Sequence, residues 1–211
     1  FNVIQPKNLI GSPLSDHIYM GANQIGYENL NQLESILSSP QILDNQFNYI
    51  YYPVIDVAAH IYGTNSDEWQ NEVNIFSDFL SKMTKIDSNR YTCITADHGV
   101  VNIKDSNKFR LEYDESVKIY GDQRAVYING DFEKIKNVFK NVPGYFLNSE
   151  EIISLLGSPD NKNVKNFFPE HIFLLQEGNI IFPNHLSANL KGYHGGLSKT
   201  EVYIPLIEIV N

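Results

Sequence analysis

Two short strand-like runs bracket one long helical pattern in the first half of the chain, and that order leaves few folds open. Phe47-Asn48-Tyr49-Ile50-Tyr51-Tyr52 is rich in aromatic and branched residues and is closed by Pro53, so it reads as a buried strand. Tyr91 to Ala96 reads as a second strand. Between them, after Gly63 and the capping-type run Thr64-Asn65-Ser66-Asp67, the apolar residues Trp69, Val73, Phe76, Phe79, Leu80 and Met83 recur at helical spacing. Strand, helix and strand in that order predict a parallel crossover, the building unit of α/β proteins.

The remaining pattern extends this unit. Phe1 to Pro6 is short and apolar, and the turn-rich Gly11-Ser12-Pro13 follows. Leu30, Leu33, Ile36 and Leu37 predict an amphipathic helix within Tyr27–Leu37, ended near Pro40. Val202 to Val210 predicts a closing strand with Pro205 near its start. From about 101 to 190 the pattern is less regular: a strand at Arg124–Ile128, helices at Phe132–Phe139 and Ser149–Leu156, and a hairpin-like stretch from Ile172 to Phe182. Its Asn, Asp and Gly clusters predict an α+β subdomain inserted between core elements.

Composition narrows the function. With 211 residues, 42% hydrophobic and 19% charged, the chain reads as one soluble globular domain with no run apolar enough to span a membrane. Sixteen basic against 25 acidic residues give a formal charge of −9, which argues against a nucleic-acid groove. Phosphate substrates remain compatible with that charge, because bound divalent cations reverse the local sign. The single cysteine, Cys93, excludes an internal disulfide and a Cys-based zinc finger, and its place in a strand predicts a buried, inert thiol. The first residues lack the basic and apolar regions of a signal peptide. One cysteine favours a cytoplasmic setting, with a signal peptide further upstream left open.

Three short words carry candidate chemistry. Asp56 and His60 stand four apart just beyond Pro53, so on a helical turn they share a face near a strand's carboxyl end, where open parallel sheets bind ligands. Carboxylate and imidazole are both zinc ligands at about 2.0–2.2 Å, although the same pair is also common on a solvated helix. Asp97 and His98 follow the second strand directly, with Gly99 behind them. A cation would offset their desolvation there, and a helix cap or turn is the alternative. His194 precedes Gly195 and Gly196, which would let the backbone approach a ligand closely, though histidine in a glycine loop is often only surface. Together the words supply two carboxylates and three imidazoles, a set suited to zinc or a similar borderline metal. His17, His171 and His185 have no partner at ligand spacing, and Ser198 reads as a cap for the next helix or turn.

With Tyr51-Tyr52-Pro53-Val54-Ile55-Asp56-Val57-Ala58-Ala59-His60-Ile61-Tyr62-Gly63, then Thr95-Ala96-Asp97-His98-Gly99, then His194-Gly195-Gly196-Leu197-Ser198, the sequence resembles the type I phosphodiesterase and nucleotide pyrophosphatase family of the alkaline phosphatase superfamily. The resemblance implies an alkaline-phosphatase-like α/β fold, a mostly parallel sheet flanked by helices, present only in part as the C-terminal portion of a catalytic domain. It implies two divalent metal ions, zinc first among them: one held by Asp56, His60 and His194, the other by Asp97 and His98 with an aspartate and a Thr or Ser nucleophile from earlier in the family's chain. No such aspartate or nucleophile stands ahead of Asp56, and Ser12, Ser15 and Thr64 lack the strand-to-helix context.

What the resemblance implies is therefore hydrolysis of phosphodiester or nucleotide pyrophosphate bonds by the full-length protein, on a small phosphodiester or nucleotide substrate. The present chain, lacking the nucleophile, is expected to be inactive alone, with an incomplete second site. The rivals are a silent metal-binding or interaction module and another superfamily activity: phosphomonoesterase, phosphonoacetate hydrolase or phosphomutase. A doubly wound sheet without its first elements would leave an apolar face uncovered. The expected partner is thus the missing N-terminal half, with self-association in its absence.

Overall fold

The computed structural model describes residues 1–43, 47–83, 91–159, 165, 168–183 and 189–210. It has the α/β fold expected from the sequence, with mixed sheets. In chain order the described strands are β1 Asn2–Pro6, β2 Asn23–Tyr27, β3 Asn48–Ile50, β4 Tyr91–Thr95, β5 Val101–Asn102, β6 Lys108–Leu111, β7 Val117–Gly121, β8 Ala125–Gly130, β9 Gly144–Leu147, β10 His171–Leu175, β11 Ile180–Pro183, β12 Gly192–Tyr193 and β13 Leu206–Val210. The described α-helices are α1 Pro13–Ile18, α2 Leu30–Leu37, α3 Pro40–Leu43, α4 Val54–Tyr62, α5 Asp67–Met83, α6 Phe132–Phe139, α7 Ser149–Leu156 and α8 Lys199–Val202.

The chain divides into two compact units, one of 1–57, 67–93 and 208–211, the other of 58–66 and 94–207. The first is built on a parallel sheet in the order β2-β1-β3. Its register places Asn2 opposite both Asn23 and Asn48, and their side-chain amides form a ladder across the three strands, with bonds of 2.9 and 2.8 Å. Ile4, Tyr27, Leu33, Leu37, Ile42 and Phe79 form the core, with Leu30 and Ile36 of α2 and Phe76, Leu80 and Met83 of α5 packed partly buried against it, so both helices turn their apolar stripes to it. Tyr52 stacks on Phe76 with ring centroids 4.7 Å apart.

The second unit centres on an antiparallel sheet in the order β7-β8-β10-β9. Alternate side chains of its central strands serve two cores. Val126, Ile128, Phe173 and Leu175 pack with Ile135 and Phe139 of α6, while Ile172 and Leu174 pack with Ile152 of α7. Both helices begin where the sequence caps them. Asp131 accepts the amides of Glu133 and Lys134 at 2.9 and 3.1 Å, and Asn148 forms a reciprocal capping box with Glu151. A smaller core of Val101, Ile103, Ile180, Phe182 and Tyr193 lies around β12.

Four expectations change. β4 pairs with β13, so the crossover predicted between Phe47–Tyr52 and Tyr91–Ala96 does not close within one hydrogen-bonded sheet of the described residues. The Ile172–Phe182 stretch is no hairpin: β10 joins β8 and β9, while β11 runs parallel to β6. β3 is not buried, since Phe47, Tyr49 and Ile50 are exposed. Cys93 is exposed rather than buried, because β4 has one strand beside it and no described element over the Tyr91-Cys93-Thr95 face. Strand propensity reports a pleated backbone, not what covers it.

Candidate metal centre

α4 begins immediately after Pro53, with Asp56 in its first turn, where the helix dipole favours a carboxylate, and His60 in its last. Asp56 lies one turn ahead of His60 on this helix and is half-buried, as His60 is. In the second unit, the end of the helix is tied to the strand that leads to His194. The Lys191 amide donates to the His60 carbonyl at 2.8 Å, and His60 Nδ1 donates to the Gly192 carbonyl at 2.7 Å. A carbonyl can only accept, so Nδ1 carries a proton, which leaves Nε2 as the ring nitrogen that can be offered to a cation.

His98 repeats the device. Its Nδ1 donates to the Gly99 carbonyl at 3.1 Å, and its backbone amide donates to Asp97 Oδ1 at 3.1 Å. Asp97 does not cap a helix, because the chain leads from Gly99 into β5; its carboxylate is exposed, with one oxygen 3.6 Å from His98 Nε2. Gly99 is required by close approach: a Cβ there would stand 2.0 Å from the Thr200 carbonyl oxygen.

His194 brings these histidines together. Its ring stacks on His98 with centroids 3.4 Å apart and planes 13° from parallel, and each ring offers a nitrogen within 4.8 Å of the other's. The His60 ring centroid lies 5.2 Å from that of His194, at 56°. Three imidazoles from distant parts of the chain therefore converge within the second unit. Two of them have Nδ1 tied to a carbonyl, the arrangement that orients metal-binding histidine and presents Nε2. The donor set fits a borderline divalent cation, which imidazole and carboxylate both suit.

The glycines after His194 approach something other than a ligand. Gly195 has φ +105°, and a Cβ on it would fall 2.2 Å from the Asp122 carboxylate; one on Gly196 would fall 2.9 Å from both Arg124 Nη2 and Glu201 Oε2. Arg124 and Glu201 form a buried bidentate pair, with Nε to Oε1 at 2.5 Å and Nη2 to Oε2 at 2.6 Å. Glu201 also accepts the Gly196 amide at 2.8 Å and the Ser198 hydroxyl at 2.6 Å. Burial by itself would raise the Glu201 carboxyl, but hydrogen bonds from Arg124, Ser198 and Gly196 outweigh it and hold the group below its ordinary value. Sequence reading missed this pair, because its members lie 77 residues apart and neither belongs to a motif. Ser198 does precede α8 as its cap residue, yet its hydroxyl donates to Glu201 instead of accepting a helix amide.

The other residues considered from sequence have structural places. Ser12 caps α1 by accepting the Ser15 amide at 3.2 Å, Ser15 donates to Gln5 at 3.3 Å, and the Thr64 amide donates to Asn102 at 2.9 Å. His171 stacks on Phe132, 4.6 Å between centroids, and His17 lies exposed on α1. His185 falls outside the described residues.

Comparison with known proteins agrees with this fold. No curated protein matches the sequence. Among solved structures, murine ectonucleotide pyrophosphatase/phosphodiesterase 5 superposes with a TM-score of 0.73 at 14% identity, covering 98% of this chain and 59% of that one. An inactive variant of the murine protein in complex with AMP gives the same values, and the human protein gives 0.66 at 15% identity with the same coverage. At such identities the likeness is one of fold, and the chain spans 59% of those relatives' length. Residues 5–209 match the family described as the BREX system PglZ alkaline phosphatase-like domain. Through that match, the chain belongs to the PglZ alkaline phosphatase-like domain family.

Proposed function

We propose that the full-length protein hydrolyses phosphodiester or nucleotide pyrophosphate bonds with two divalent cations, zinc first among them. The observation that carries this reading is the convergence of His60, His98 and His194, two of them with Nδ1 bound to a carbonyl. In it, Asp56, His60 and His194 hold one cation, while Asp97 and His98 hold the other with an aspartate and a Thr or Ser nucleophile supplied from outside this chain. Cations so held would supply charge stabilisation at the phosphoryl oxygens and activation of the attacking hydroxyl or water. The Gly192 and Gly99 carbonyls keep His60 and His98 in one tautomer, and Asp56 and Asp97 add negative charge that offsets the cations. AMP in the complex of the inactive murine relative supports a nucleotide substrate.

The test is turnover of bis(p-nitrophenyl) phosphate by this chain and by a longer form extended upstream, each with and without zinc. Little turnover is expected from the short chain and zinc-dependent turnover from the longer one. Full-rate hydrolysis by the short chain would refute the absent nucleophile. A longer form that cleaves p-nitrophenyl phosphate but no diester or dinucleotide would overturn the substrate class.

A further inference from the structure

Resting on the metal reading above, we propose that the buried Arg124–Glu201 pair is a positioning clamp that holds the His98 and His194 loops in register. Glu201 reaches both loops at once. Its carboxylate accepts the amide of Gly196, two residues after His194, and its backbone carbonyl accepts the amide of Gly99, next to His98, at 2.7 Å. Arg124 holds Glu201 from the opposite side through two parallel bonds, and its remaining terminal nitrogen donates to the Asn179 carbonyl. The tip of the β7–β8 hairpin completes the contact, because Asp122 accepts the Arg124 amide at 2.9 Å and lies against Gly195.

Energetics favour positioning over stabilisation. The Arg124 and Glu201 side chains are 0% and 1% exposed. Ion pairs taken so far from water stabilise no better than well-packed apolar side chains, yet each of their bonds has a required direction. The carboxylate here receives bonds from Arg124 Nε, Arg124 Nη2, the Gly196 amide and the Ser198 hydroxyl, so moving the His194 loop breaks a charge-assisted bond in a dry site, while moving the His98 loop breaks the backbone bond from Gly99 to the Glu201 carbonyl. The cargo of the two loops is the imidazole pair stacked at 3.4 Å. Ligand geometry of that kind is sensitive to displacements of about 0.5 Å.

The experiment compares wild type, Arg124→Lys, the double variant Arg124→Met with Glu201→Leu, and the control Ile135→Val in the α6 core. It reads cobalt(II) affinity, the cobalt visible spectrum, thermal midpoint, and hydrogen exchange at the Gly99 and Gly196 amides. The double variant is expected to keep a midpoint near wild type while losing roughly 10- to 100-fold in cobalt affinity, with an altered spectrum. Arg124→Lys keeps the charge but not the fork, and is expected to shift affinity and spectrum in the same direction. Ile135→Val is expected to lower the midpoint and leave both metal readouts unchanged. Wild-type affinity and spectrum in Arg124→Lys and the double variant would overturn the clamp; if the double variant does not fold, Arg124→Lys decides alone. Should wild type bind no cobalt, the metal reading fails and exchange tests the clamp. A larger increase over wild type in exchange at Gly99 and Gly196 than at Ile172 in Arg124→Lys would support it, and exchange unchanged from wild type would overturn it.

Discussion

One hydrogen bond, from His60 Nδ1 to the Gly192 carbonyl, settles the tautomer of the ring and so the nitrogen it can offer to a cation. His60→Ala and His194→Ala are each expected to weaken zinc binding by at least about 100-fold by calorimetry, since on the proposed reading each removes a direct ligand rather than an outer partner. His171→Ala, whose ring only stacks on Phe132, should leave zinc affinity unchanged. Equal losses at all three positions would refute the ligand assignment. Glu201 makes a second statement at this scale. Its folded-state value is lowered, so its stabilising contribution is complete above the unfolded glutamate value, about 4.3, and is lost as pH falls through the folded value. Wild type should therefore lose denaturant resistance progressively below about pH 4.3, and Glu201→Gln should lack that part of the slope. Superimposable pH profiles would refute it.

At the scale of elements, strand β10 is buried on both faces, which is why its sequence, His171-Ile172-Phe173-Leu174-Leu175, runs apolar without alternation. Ile172 and Phe173 point to opposite cores, so truncating Ile172 opens a cavity on the α7 side alone. Ile172→Ala should cost about 2–5 kcal/mol in urea denaturation, with no change in zinc affinity, because α7 carries no candidate ligand. A loss of zinc affinity with unchanged stability would contradict the division between the antiparallel sheet and the histidine loops. α4 is the opposite case: short and half-exposed, it is held at its end by Lys191 and Gly192, and the bonds that anchor it also orient His60.

Over the whole molecule, readability followed the distance along the chain between interacting groups. Helices α2, α5, α6 and α7 were legible from apolar spacing and capping residues, because helix bonds join residues four apart. All five predicted ligand positions lie on a helix turn or at the end of a strand, as their local context implied. The sequence by itself thus determined those helices and the likeness to the alkaline phosphatase superfamily. Only the tertiary structure decided that β4 pairs with β13, that β10 and β11 part company, and that Glu201 with Arg124 underlies the His98 and His194 loops. Those outcomes depend on which distant faces and polar groups satisfy one another once water is excluded. That balance of desolvation, register and direction has no period along the chain from which to read it.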